Sequence, residues 1–150
     1  WRRIGAFGGI GPAERARIGE ALAAVGLEGF ETRSIGTLSG GQMQRAMFAR
    51  LVLQDAAVIL LDEPFNAVDA RTVADLLGLV HRWHREGRTV VAVSHDLPLV
   101  TEHFPETLLL AREPVAWGPT AEVVCEAHLA RAQRMIEAFD THAHVCARAS

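Results

Sequence analysis

The chain has 150 residues, 49% of them hydrophobic, and a formal net charge of −3. That suffices for about one domain with a real core, and it excludes a global basic field of the kind that gathers nucleic acid. No apolar run reaches membrane-spanning length, the N-terminus carries no signal-peptide pattern, and Cys125 and Cys146 make neither a disulfide framework nor a four-ligand zinc site.

Residues 1–11 are arginine-tipped and then glycine-rich, and they do not fit a dinucleotide fingerprint; a loop is expected. Pro12 suits the first turn of a helix whose apolar side is Ile18, Ala21, Leu22 and Val25, with Gly26 as its stop. Residues 27–37 read as a short connection with one helical turn near Phe30. Ser39 then caps a second helix that runs through Leu51. Gly40 and Gly41 leave bare backbone amides at the positive end of that helix. A phosphate can approach the main chain closely there, because no Cβ stands in the way.

Gln54-Asp55 marks a break. The apolar run 56–61 has the pattern of a strand covered on both faces in a parallel sheet, and it ends abruptly in Asp62-Glu63-Pro64. Ligands of open parallel sheets bind beyond the carboxyl ends of the strands, so these two acids stand where chemistry usually sits. After a loop over 65–69, a third helix places Val73, Leu76, Leu77, Val80 and His84 on one face and stops at Gly87. A second buried strand, 89–93, leads into Ser94-His95-Asp96, which completes a βαβ unit. A short helix (97–102), strands over 107–111 and 114–117, and a stop at Gly118-Pro119 follow. The last helix runs to about Phe139 with Leu129, Ala132, Ile136 and Phe139 on one side, and an aperiodic tail comes after it.

In order, these stretches resemble one family. Leu38-Ser39-Gly40-Gly41-Gln42-Met43-Gln44-Arg45 is similar to the signature motif of ABC-type ATPases. Asp62-Glu63 resembles a Walker B motif followed by the catalytic glutamate, Asn66-Ala67-Val68-Asp69 the D-loop, and His95 the switch histidine. Val68 departs from the usual leucine. The resemblance implies an α/β fold, the C-terminal part of a P-loop NTPase (ABC ATPase) domain. A helical subdomain with the signature (1–50) would precede the C-terminal half of the nucleotide-binding core, an incomplete and mostly parallel sheet (51–125), and then a helix and tail (126–150). It further implies ATP and Mg²⁺ as ligands, with Asp62 on the metal, Glu63 as general base and His95 near the γ-phosphate. Ser39, Gly40, Gly41 and Gln42 would face the ATP held by a second ATPase subunit, and Asp69 would serve contacts across that dimer. Each role has a physical warrant: Mg²⁺ takes oxygen ligands, and an adjacent carboxylate can polarise the attacking water.

All 15 basic residues are arginine, so no Gly-x-x-x-x-Gly-Lys-Ser/Thr phosphate loop lies in the sequence. With Trp1 as first residue, the chain reads as N-terminally truncated and as inactive alone. The run 65–72, the run 104–110 and the histidine-bearing tail look most like zinc and manganese uptake systems. Transmembrane permease subunits would then be partners, with a periplasmic or extracellular metal-binding protein engaged indirectly and no nucleic acid. The expected location is cytoplasmic, peripheral on the inner face of the membrane. His81 and His84 lack a third ligand and read as boundary histidines; His142, His144 and Cys146 are better metal-ligand types, on a solvated tail. The rival readings are an SMC-type DNA-repair ATPase, which would need heptad arms and a basic path, and a non-hydrolysing regulatory module of the same family.

Overall fold

The computed structural model describes residues 10–66 and 68–140. The glycine-rich start, Ala67, the side chain of Phe139, and His142, His144 and Cys146 lie outside them. The chain divides into two compact units, one ending at Ser94 and the other beginning at His95.

In the first unit, helix α1 (Pro12–Ala24) begins with Pro12 at its first position. It ends in a Schellman turn: Gly26, at φ 71°, donates to the Ala23 carbonyl, and Leu27 donates to that of Leu22. The connection to the next helix carries a single 3₁₀ turn at Ile35–Thr37, later than the expected turn near Phe30. Successive i→i+3 bonds at Phe30 and Arg33 make turns there instead. Helix α2 (Gly40–Gln54) starts at Ser39 as expected and stops at Asp55, which adopts a left-handed conformation. Helix α3 (Ala70–Arg85) buries Thr72, Leu76, Leu77, Leu79, Val80 and Trp83. His84 is exposed, not on the apolar face, because Trp83 takes the inward position one residue earlier and stacks on Phe48 with ring centroids 5.8 Å apart. Gly87 closes α3 at φ 81° by the same Schellman pattern as Gly26.

Strand β1 (Val58–Asp62) pairs in parallel with β2 (Thr89–Val93), in the register Asp62 opposite Val93. With α3 between them they form the expected βαβ unit. The expectation of two covered faces is corrected, since exposure alternates along β1. Ile59 and Leu61 point into the core, whereas Val58 is 58% and Leu60 71% exposed. α3 packs on β2, and on the face that carries Val58 and Leu60 the side chains of Val91 and Val93 are also exposed.

The second unit contains α4 (Leu97–His103), β3 (Glu106–Leu110), β4 (Pro114–Pro119), α5 (Thr120–Val123) and α6 (Glu126–Asp140). β3 and β4 are antiparallel, with Leu108 opposite Trp117 and a register irregularity at Leu109/Leu110. Gly118 and Pro119 do not stop β4; they pair with Thr107 and Glu106 at its end. β4 is an edge strand of a two-stranded sheet among the described residues, a place where the missing N–H of Pro119 is tolerated. The sequence reading missed α5, a single turn whose buried Thr120 donates to the Phe104 carbonyl at 2.6 Å. Ala132 of α6 is buried and Ile136 exposed, so the apolar side of α6 is only partly covered within the described residues.

Candidate nucleotide site

The N-terminus of α2 is a capping box. The Gln42 amide donates to Ser39 Oγ at 3.3 Å, and the Ser39 amide donates to Gln42 Oε1 at 3.0 Å. The box satisfies two donors and leaves the Gly40 and Gly41 amides without an intrachain acceptor among the described residues. A Cβ added at Gly40 would meet nothing within 4 Å; at Gly41 it would touch only Asp69 Oδ2 at 3.7 Å and Thr72 Oγ1 at 3.8 Å, ordinary contacts. Neither glycine has a left-handed backbone. Nothing among the described residues therefore requires glycine at either position, although each costs helix stability relative to alanine.

Asp62, exposed, ends β1, and Glu63 follows at φ 45°, a left-handed conformation rare for a residue with a side chain and rarer still before proline. Three bonds hold the chain there. The Glu63 amide donates to the Val93 carbonyl at 3.1 Å, the Asn66 amide to that of Glu63 at 3.2 Å, and Gln44 Nε2 to that of Pro64 at 2.6 Å. Such strain persists only where surroundings over-determine it, and it gathers at functional sites. A cleft of about 380 Å³ lies between α2 and β1, lined by Gln44, Phe48, Leu61, Asp62 and Pro64 among others.

Asp69 is the N-cap of α3. Its carboxylate accepts from the Thr72 amide at 3.0 Å and from the Thr72 hydroxyl at 2.7 Å. The hydroxyl bond first and the amide bond second hold its pKa below the ordinary carboxylate range. The Thr72 hydroxyl in turn accepts from Arg45 Nη2 at 3.1 Å, and Arg45 also reaches Asp75 at 2.8 Å and the Val25 carbonyl at 2.9 Å. The first unit thus brings Ser39, Gly40, Gly41 and Gln42 to the same neighbourhood as Asp69, with a cleft of about 430 Å³ lined by Gln42, Arg45 and Asp69 among others. His95, exposed, opens the second unit just before Asp96, whose carboxylate caps α4 through the Leu99 amide at 3.0 Å. The sequence reading assigned no role to Thr72 or Arg45. An aspartate immediately before an apolar-periodic helix is an N-cap signal, and it would have pointed to the Asp69 cap but not to the Thr72 hydroxyl.

A capped glycine helix end beside the loop that follows two acids at the end of the first strand of a parallel βαβ unit is the arrangement expected of part of an ABC-type ATPase domain. Residues 3–66 match the family described as ABC transporter. The chain is 38% identical over 117 residues to the manganese transport system ATP-binding protein MntB of Halalkalibacterium halodurans, covering 78% of this chain and 47% of the relative. Against the zinc transport system ATP-binding protein TroB of Treponema pallidum it is 38% identical over 135 residues, covering 86% and 51%. Among solved structures, an ABC transporter in an inward-facing conformation superposes with a TM-score of 0.78 at 27% identity, covering 89% of this chain and 53% of that one. In sequence and in fold the chain thus resembles ATP-binding proteins of ABC transporters. It spans about half the length of the curated relatives it matches.

Proposed function

We propose that this chain is part of the ATP-hydrolysing subunit of an ABC transporter that imports manganese or zinc. The observation that carries the ATPase reading is the N-terminus of α2. Two glycines stand where intrachain packing asks for none, and their amides have no intrachain acceptor among the described residues. Bare amides at the positive end of a helix, open to close approach, fit a phosphate. The Ser39 hydroxyl accepts from Gln42 and keeps its own proton to donate.

The remaining roles rest on the family resemblance together with chemistry. The exposed carboxylate of Asp62 fits a Mg²⁺ site, since that ion prefers oxygen ligands and keeps several waters. Bound Mg²⁺ would neutralise charge on the phosphate oxygens. Glu63 would take a proton from the attacking water, and His95 would orient the water or the γ-phosphate. Ser39, Gly40, Gly41 and Gln42 would donate to ATP held by the partner subunit, so that positioning is complete only when the dimer closes. Asp69 would border the same dimer interface. Residues 1–50, 51–125 and 126–150 would then serve as signature-bearing helical subdomain, C-terminal half of the nucleotide core, and C-terminal helix with tail.

The metal reading is supported by the relatives, which are manganese and zinc transport ATP-binding proteins. The partners would be a second ATPase subunit and transmembrane permease subunits, with an extracytoplasmic metal-binding protein engaged through them. No described helix is long and apolar enough to cross a membrane, and the subunit would sit peripherally on the cytoplasmic face. Reconstitution of the natural polypeptide with its permease tests the proposal. ATP-dependent uptake of manganese or zinc is expected. Uptake of a sugar or amino acid alone would remove the metal assignment, and absence of any ATP-dependent uptake would remove the transport reading.

A further inference from the structure

Consecutive residues of α2 grip both ends of the loop that follows the acid pair. Gln44 donates to the Pro64 carbonyl at 2.6 Å, at the start of the loop. Arg45 reaches the other end, donating to Thr72 Oγ1 at 3.1 Å, while that hydroxyl donates to Asp69 Oδ2 at 2.7 Å. The direction of the chain is fixed. Arginine can only donate and a carboxylate can only accept, so the threonine hydroxyl must pass its proton toward Asp69. Thr72 is 3% exposed, so water cannot readily replace either bond.

The placement of Asp69 gives this relay a chemical consequence. Asp69 Oδ2 and Thr72 Oγ1 lie 3.7 and 3.8 Å from the point where a Gly41 Cβ would sit. A carboxylate therefore stands against the very turn whose amides are open to an anion, and it could compete for them. The Thr72 amide alone would restrain only Oδ1, at 3.0 Å. The hydroxyl bond ties down the second oxygen and keeps the carboxylate turned toward α3.

We propose that Thr72, held by Arg45, is a positioning residue that locks the signature turn to the loop after Asp62-Glu63 and keeps the Asp69 carboxylate off the Gly40–Gly41 amides. The inference rests on the ATPase reading above for its effect on turnover, but not for the lock itself. The two carboxylate oxygens are held separately, so Thr72→Val removes the hydroxyl bonds and leaves the backbone cap. Val keeps the β-branched shape of Thr and fills the buried site while lacking the hydroxyl. Thr72→Ser keeps the hydroxyl.

The test uses the natural polypeptide containing this sequence, assembled as its dimer, with two readouts. In Thr72→Val, amide hydrogen exchange should speed up together at residues 39–42 and 65–69, while Thr72→Ser stays like the parent. Turnover at saturating Mg-ATP should fall about 5-fold in Thr72→Val, the rate equivalent of one hydrogen bond, with ATP affinity of the single subunit unchanged and serine restoring the rate. A merely structural role would lower the unfolding midpoint of both variants without that split. Unchanged exchange in Thr72→Val overturns the lock, as does equal loss in Thr72→Val and Thr72→Ser. If the parent shows no Glu63-dependent hydrolysis, the ATPase reading falls, and the exchange readout still decides the lock.

Discussion

Replacing Gly40 by alanine should move stability and activity in opposite directions. Gly40 is the first residue of α2, without a left-handed backbone, and a Cβ there meets no atom within 4 Å. Alanine thus fits without strain and lowers the conformational entropy of the unfolded chain. That effect is worth about 0.4–1 kcal/mol at compatible sites, and the low end applies at a helix terminus where the capping box already fixes the turn. The expected gain is about 0.5 kcal/mol in denaturant unfolding of the natural polypeptide. The same methyl group occupies the space through which a phosphate would reach the Gly40 and Gly41 amides. Losing one preorganised donor to a developing charge costs about 10²-fold in turnover, and ATP hydrolysis by the dimer should fall by that order. Lower stability would show that the space over Gly40 is not free. Parental turnover would refute the assignment of these amides to phosphate.

Phe48→Ala removes a ring that is 1% exposed and stacked on Trp83, and should cost about 3–5 kcal/mol in denaturant unfolding; a loss below about 1 kcal/mol would show that this pair is not the centre of the core. Asp69, with its pKa lowered by the Thr72 hydroxyl, contributes stability that is fully present above the ordinary carboxylate value of about 4 and is lost as pH falls through the lower folded value. Its carboxyl resonance should titrate below the ordinary aspartate value, and Thr72→Val should bring it up; a midpoint unmoved by that change would contradict the hydrogen-bond cause. The 150-residue chain by itself should bind Mg-ATP too weakly for calorimetry and should self-associate through the exposed side chains of Val58, Leu60, Val91 and Val93, whereas micromolar binding would locate the nucleotide site elsewhere.

The parts of the fold that could be read from sequence are those set by local chemistry. Pro12, Gly26 and Gly87 fix helix ends through their backbone conformation and Ser39 through its side-chain cap, and all four ends stand where expected. The apolar runs of β1 and β2 announced strands, and the helix between them announced parallel pairing. Burial was less legible because it depends on what packs against an element. A continuous apolar run is written the same way whether one face or two are covered, and Leu60 is exposed despite it. His84 and Trp83 are neighbours in sequence, and only the fit against Phe48 decides which turns inward. In the candidate site the acids and glycines were visible as a motif. The relay from Arg45 through Thr72 to Asp69 was not, since it joins residues 27 and 3 positions apart through side-chain geometry alone.

Glu63→Gln in the natural polypeptide tests the central claim most directly. Glu63 follows β1 in a left-handed conformation held by the Val93 carbonyl, and glutamine keeps its size and hydrogen-bonding reach while removing the base. Mg-ATP binding and hydrolysis should be measured together on the parent and the variant. The expected result is ATP affinity close to that of the parent, an ATP-bound dimer that persists, and turnover lower by about 10²–10⁴-fold. Hydrolysis by Glu63→Gln near the parental rate would contradict the assignment of the reaction to this strand end.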